Sequence, residues 1–351
     1  MAIIFLAVFF GYALLEGFQR GFATTFTDPI FLGSGNLLNL TRSVGIFGIF
    51  SVAMGVVIIT GGIDLSVGAV FALLGVILAY LLTNYNWPWP LAVMAVILLA
   101  MALGLIHGVL ISRVNLQPFV VTLCGLLAYR GFARFLSSDQ TVGFGNRTGY
   151  ELLRTLATGS IFNLPAPFIL FVAVCIVMTF VLHVSVYGRY LFAIGRNEEA
   201  AFYSGINTKL IVTSAYVLCG FLTGISAILL GFYTNSISPA SHGSFFELYA
   251  IAAAVLGGCS LRGGEGSVLG IFLGTAMIQL LRNIVNLQGI DSSLEFVVMG
   301  GVILIAVTFD QILAARRRAL ESRLDLKQEL ETPDGEAAIT ADGAARTRGI
   351  G

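Results

Sequence analysis

The side chains that could do chemistry in this chain are few, and their spacing limits them. The four cysteines, Cys124, Cys175, Cys219 and Cys259, all lie in apolar runs. No two share a metal-ligand spacing, so they read as small buried hydrophobes. The three histidines, His107, His183 and His242, form no His-Glu-x-x-His pair or similar motif. The only lysines, Lys209 and Lys327, do not follow a GxxxxG, which removes a phosphate-binding loop and ATP hydrolysis by that route. No acid, nucleophile or metal set converges within the apolar runs. An intramembrane enzyme therefore has no support, and no metal or cofactor is implied.

Four polar stretches remain. In Gly61-Gly62-Ile63-Asp64-Leu65-Ser66-Val67-Gly68 the glycines permit a sharp break between two apolar runs. Asp64 is costly at membrane depth, and such a residue marks either a pathway or a structural hydrogen-bond hub. It could equally cap the next helix through amides near Ser66 and Val67. In Arg113-Val114-Asn115-Leu116-Gln117-Pro118-Phe119, Pro118 suits the first turn of a helix, with Asn115 and Gln117 at the boundary. The third stretch runs from Gly188 to Ile206. Asn197 is a good N-cap, Glu198 and Glu199 suit a first turn, and Gly205 is placed to end the helix in the left-handed conformation. This predicts a helix of about two turns, too short to stand alone, which must pack on its own chain or on a partner. Ala200 and Ala201 allow close approach there, while Phe202 and Tyr203 offer apolar area. The fourth stretch, 257–266, has five glycines and reads as a tight reversal.

The elements that position these stretches follow from composition. The chain has 351 residues, 57% of them hydrophobic, with 19 basic and 19 acidic side chains and a mean hydropathy of +0.91. A soluble protein of this length would carry roughly a quarter of its residues charged. Fourteen of the charges fall in 316–351, so the rest of the chain is poorer still, and its solvent must be lipid. The zero net charge argues against a nucleic-acid partner. The 41 glycines suit close helix packing in a bilayer.

Measured against a hydrocarbon core of about 30 Å, the apolar runs predict about ten helical spans. They fall near 2–18, 43–61, 66–83, 90–112, 117–136, 166–187, 210–232, 246–260, 267–285 and 294–314. The segment 137–165 reads as a polar, partly helical loop, and 188–209 as the longest polar connection of the second half. Ten spans put both termini on one side. Placing them in the cytoplasm leaves Arg113, Arg189, Arg196, Lys209, Arg262 and Arg316 to Arg318 inside, against Arg20, Arg42, Arg147 and Arg154 outside. Arg130, Arg134, Glu247, Arg282 and Glu295 are expected near span ends, where snorkelling accommodates them. The expected organisation is one transmembrane domain, 1–315, and a charged tail, 316–351, of disordered composition. A weak echo relates Gly61–Ser66 to Gly257–Arg262, as in transporters built from repeats.

The chain resembles the membrane permease subunits of ribose-type sugar ABC importers over roughly residues 36–314. The stretches that carry the resemblance are GGIDLSVGAV at 61–70, NLQPFVVTL at 115–123, YGRYLFAIGRNEEAAFYSGI at 187–206 and GGCSLRGGEGSVLG at 257–270, with GGVILIAVTFD at 300–310 similar to the family's last span. The resemblance implies an all-α polytopic membrane protein of type II-like importer architecture in the bacterial inner membrane. It implies two cytoplasmic ATPase subunits, a second permease copy or paralogue, and a periplasmic sugar-binding protein as partners, with a monosaccharide as substrate. The ATPase-coupling helix then falls on Gly195, Arg196, Asn197, Glu198, Glu199, Ala200, Ala201, Ser204 and Gly205, with Arg196 where the family often has a small residue. Asp64, Ser66, Asn115 and Gln117 match family motifs and become candidates for shaping the translocation pathway. The competing expectation is a secondary transporter or facilitator of a small polar solute that works without an ATPase.

Overall fold

A computed structural model describes residues 2–20, 29–145 and 149–291, with isolated positions at 294, 296, 297, 300, 301, 304 and 308. The expected span at 294–314 and the tail at 316–351 fall largely outside the described residues, as do Arg147 and Glu295. The chain divides into two compact units, Met1–Phe296 and Val297–Gly351, and every element below belongs to the first.

Helices dominate: α1 (Ala2–Arg20), α2 (Ser34–Ile59), α3 (Val67–Thr83), α4 (Trp89–Ser112), α5 (Pro118–Leu136), α6 (Glu151–Thr158), α7 (Ala166–Thr179), α8 (Val186–Arg196), α9 (Glu198–Tyr203), α10 (Thr208–Thr234), α11 (Phe246–Leu256) and α12 (Val268–Leu287). A π-turn, Phe180–Val184, extends α7, and one two-stranded hairpin pairs Ser160–Ile161 with Leu164–Pro165. Among the described residues seven helices are long and apolar enough to cross a membrane: α1, α2, α4, α5, α7 with its π-turn, α10 and α12. The fold is that of a polytopic helical membrane protein.

Three expectations need correction. The second span is expected near 43–61, with Arg42 outside it. Instead Gly33 caps α2, its carbonyl accepting the Leu37 amide at 3.0 Å, and the helix runs through Arg42, which donates to the Thr158 carbonyl at 3.1 Å. The connection at 188–209 holds two helices rather than one, because α8 has an apolar edge that buries Leu191 and Ile194. The span expected at 246–260 is the 11-residue α11, about 16 Å long at 1.5 Å per residue and half a bilayer core. The backbone before it reaches into the bundle instead of staying outside. There Arg130 donates to the carbonyls of Pro239 (3.1 Å), His242 (2.7 Å) and Gly68 (3.3 Å). Arg130 therefore serves backbone satisfaction inside the bundle, not snorkelling at a helix end. Irregular backbone survives at membrane depth only where its polar groups are answered by protein. Arg130 is half-buried, and Glu247 is buried, beside Gly68.

The core forms around α2 and α10, whose windows are 89% and 72% buried, while α5 and α7 are mostly exposed. Helix association in lipid has no hydrophobic drive and depends on close packing of small residues. Here α4 carries Gly104-x-x-x-Gly108 and α10 carries Gly220-x-x-x-Gly224, and the two pairs lie at the antiparallel α4–α10 seam. A Cβ at Gly104 would overlap the Tyr216 carbonyl, one at Gly108 would lie 2.7 Å from Thr213 Cα, and one at Gly220 would overlap the Ala100 carbonyl. Gly131 on α5 meets nothing within 4 Å. Gly104→Val is therefore expected to destabilise the protein by about 1–3 kcal/mol through overpacking. Gly131→Val should change little. Thermal unfolding in detergent compares them, and equal melting temperatures would refute this account of the seam.

Candidate functional site at one end of the bundle

The turn between α2 and α3 is built first by backbone. Gly61 takes φ +82°, and the amides of Gly61 and Gly62 close on the carbonyls of Ile58 (2.9 Å) and Val57 (3.1 Å). A Cβ at Gly62 would crowd the Tyr216 hydroxyl at 2.5 Å. The chain then presents Asp64, which is 5% exposed. Its Oδ1 accepts from the Ser66 amide (2.9 Å) and the Ser66 hydroxyl (2.6 Å), which closes the turn just before α3 and leaves the helix's own first-turn amides without a side-chain cap. Its Oδ2 lies 3.7 Å from His107 Nδ1 on α4. His107 Nε2 is 2.8 Å from the hydroxyl of Tyr129 on α5. The pattern suits the tautomer with its proton on Nδ1, so that Nε2 accepts from Tyr129. The Thr122 hydroxyl, donating to Pro118 at 2.9 Å, also lies 3.3 Å from the Ile63 carbonyl. One short turn is thus held by α4, α5 and α10 together.

The next turn, 113–117, lies beside it. Asn115 is left-handed at φ +59°, and Gln117 sits in extended backbone just before Pro118, which begins α5 as expected. Both line a cavity of about 370 Å³ together with Thr60, Gly61, Tyr216 and Glu198. The four candidate pathway residues therefore separate. Asn115 and Gln117 face open space, whereas Asp64 and Ser66 are buried and hold the turn whose Gly61 and Gly62 form a wall of that space.

The third stretch adopts the expected local chemistry. Asn197 Oδ1 accepts the Ala200 amide at 2.9 Å, Gly205 takes φ +85°, and the Ile206 amide closes on the Ala201 carbonyl at 3.2 Å. Asn197, Glu198, Glu199, Ala200, Ser204 and Gly205 are exposed, as is Arg196, while Ala201 is buried against its own chain. Gly195 is likewise explained internally, since a Cβ there would overlap the Ile59 carbonyl and the Gly264 amide. Phe202 and Tyr203 stand 60% and 78% exposed. Behind α9 lies a second cleft, of about 530 Å³, lined by His183, Arg189, Arg196 and Ala200 among others.

The fourth stretch packs on the first. The Gly264 amide donates to the Ile59 carbonyl at 2.8 Å. Gly258 takes φ +87°, and the amides of Gly258 and Cys259 close on Val255 and Ala254, both at 2.9 Å. This is the closure seen at Gly61 and Gly62, but it pairs Gly61 with Gly258, one residue away from the register of the sequence echo.

Sequence reasoning missed His107, Tyr129 and Arg130. Pair motifs were the wrong test for His107. A lone imidazole deep in the apolar run 90–112 is itself the signal, because a polar group there needs a partner on another helix. Asp64→Ala would leave the Ser66 amide and hydroxyl without their acceptor and remove the carboxylate that faces His107, at about 1–3 kcal/mol for each buried group left unanswered. Tyr129→Phe should cost about 1 kcal/mol. Melting curves in detergent decide this, and an Asp64→Ala protein as stable as Tyr129→Phe would show that the turn is held by other means.

A family model for the permease component of branched-chain amino acid transport systems matches residues 36–307. The chain is 37% identical over 288 residues to the ribose import permease of Bacillus subtilis (strain 168), covering 81% of this chain and 87% of that one. It is 35% identical to the ribose import permease of Escherichia coli (strain K12), covering 81% and 88%. It is 31% identical to the xylose transport system permease of Haemophilus influenzae (strain ATCC 51907 / DSM 11121 / KW20 / Rd), covering 82% and 92%. No solved structure matches the chain. The family description names amino acids while these relatives carry sugar names, so family membership alone does not define the solute. These relatives are transport permeases and not enzymes, and they favour an import-system subunit over a self-sufficient facilitator. The chain belongs to the family of transport-system permease components.

Proposed function

We propose that the chain is the membrane permease of an ATP-driven importer that carries a monosaccharide, a pentose or a hexose, across the bacterial inner membrane. The ribose and xylose names of its relatives support the sugar class. In this reading the protein has about ten spans in type II-like arrangement, with both termini cytoplasmic and the charged segment 316–351 as a tail beyond the membrane domain. It pairs with a second copy or a paralogue. The end that carries α8, α9 and the turns at 60–66, 113–117 and 257–267 then faces the cytoplasm. A periplasmic sugar-binding protein delivers substrate at the opposite end.

One observation carries the proposal. The six-residue α9 is capped at Asn197, ended at Gly205, and holds two aromatic side chains out into solvent. Exposed apolar area of this kind on a helix too short to be stable alone calls for a partner surface. Docked in an ATPase groove, α9 transmits closure of the ATPase pair, with Arg196, Glu199, Ala200, Ser204 and the aromatic pair as its contact face. Gly195 and Ala201 let α9 sit close to its own chain, and Gly205 lets it end. The membrane domain contributes two packed states whose balance ATP and the binding protein shift.

Purification of the tagged chain from its native membrane tests this. An ATPase subunit is expected to accompany the wild type. It should be lost from Ala200→Glu, which adds bulk and charge to the exposed face without touching the packed Ala201. Absence of any ATPase from the wild type, even after crosslinking, would sink the importer reading and point to uptake by the chain alone. An ATPase that stays with a folded Ala200→Glu would move the dock away from α9.

A further inference from the structure

The cavity beside Asn115 and Gln117 is walled by parts with very different tethers. The turn at 60–66 is held through Asp64, and the end of α4 is bonded to α10 by Ser112 and Thr213, 2.8 Å apart. Glu198, the first residue of α9, closes another side of it, beside Leu116, Pro118 and Val212. α9 buries only Ala201 of its own six residues. Extended backbone at Asn197 (φ −160°, ψ 101°) separates it from α8, and Gly205 ends it at φ +85°. A shift of α9 would therefore move Glu198 relative to the turn at 60–66 and the end of α4.

The lining also has a definite chemistry. Asn115 and Gln117 both donate and accept hydrogen bonds, Thr60 adds a hydroxyl, Tyr216 adds a ring edge and hydroxyl, and Glu198 only accepts. Among the described lining residues Glu198 is the one charged group. This set matches a neutral ring bearing several hydroxyls and repels a phosphorylated one. The volume, about 370 Å³, lies within the range of about 300–1,000 Å³ typical of small-molecule sites.

We propose that this cavity is the last chamber a neutral polyhydroxylated solute occupies before release, and that Glu198 is the movable wall through which the docked α9 reshapes it. The inference rests on the reading of α9 as the ATPase-coupling helix, and it divides that helix by face. Ala200, Phe202 and Tyr203 meet the ATPase, while Glu198 meets the solute.

The test uses the complex purified with its ATPase, carrying Gln117→Cys as a reporter in a Cys124→Ser background. A small thiol reagent should label Gln117→Cys at rates that differ about fivefold or more between the nucleotide-free state and ATP with vanadate, the low end of typical coupling between sites. Glu198→Ala should abolish that difference, and Glu198→Gln and Glu198→Ala should both retain the ATPase at the wild-type level. A mixture of neutral pentoses and hexoses should protect the cysteine, and sugar phosphates should not. Release of the ATPase by Glu198→Gln would make Glu198 a docking residue and overturn the proposal. So would an intact nucleotide response in Glu198→Ala, or equal protection by sugar phosphates. A wild-type complex that holds no ATPase fails at the first step, and that failure belongs to the importer reading itself.

Discussion

Inside a bilayer every backbone polar group left out of a helix must be answered by the chain itself, and the irregular parts of this protein are arranged around that demand. The α2–α3 turn is closed by amides of Gly61 and Gly62 and then by Asp64, whose carboxylate serves Ser66 on one side and faces His107 on the other. The reach of backbone before α11 is answered by Arg130, which spends its donors on three carbonyls. Buried Asp64 and half-buried Arg130 both substitute for missing helical partners. The pathway candidates can then be soft and polar, since the frame around them is already satisfied.

The same demand explains the placement of glycine. At the α4–α10 seam the pairs Gly104/Gly108 and Gly220/Gly224 bring backbones into contact, which lipid alone would not enforce. At Gly195, Gly263 and Gly264 three separate segments meet with no room for a Cβ. The result is a dense end in which the first, third and fourth polar stretches touch, although about 130 residues separate Gly61 from Gly195 along the chain. Beside this end α9 buries only Ala201 of its six residues.

Much of this was legible in sequence. Apolar length located the long described helices, Pro118 marked the start of α5, and Asn197 and Gly205 bracketed α9 as their chemistry required. The partnership of Asp64 with Ser66 followed from their spacing. What sequence left hidden was tertiary. Nothing local joins His107 to Asp64 across 43 positions of chain or brings Arg130 to the carbonyls at 239 and 242. Hydropathy also cannot separate a full span from a half-length helix, because the apolar run of α11 continues through Gly257-Gly258-Cys259 after the helix has ended. The start of α2 was missed for the opposite reason, since the polar residues of 34–42 continue the helix that Gly33 caps.

The bare aromatic pair on α9 also bears on the life of the chain before assembly. Phe202 and Tyr203 face water until something covers them, and an exposed apolar patch on an unassembled subunit is a handle for chaperones and proteases. A copy made in excess of its partner would carry that handle for as long as it stayed alone. Under the proposed coupling role, the same helix would thereby also set the ratio in which the subunits accumulate, by marking the orphans.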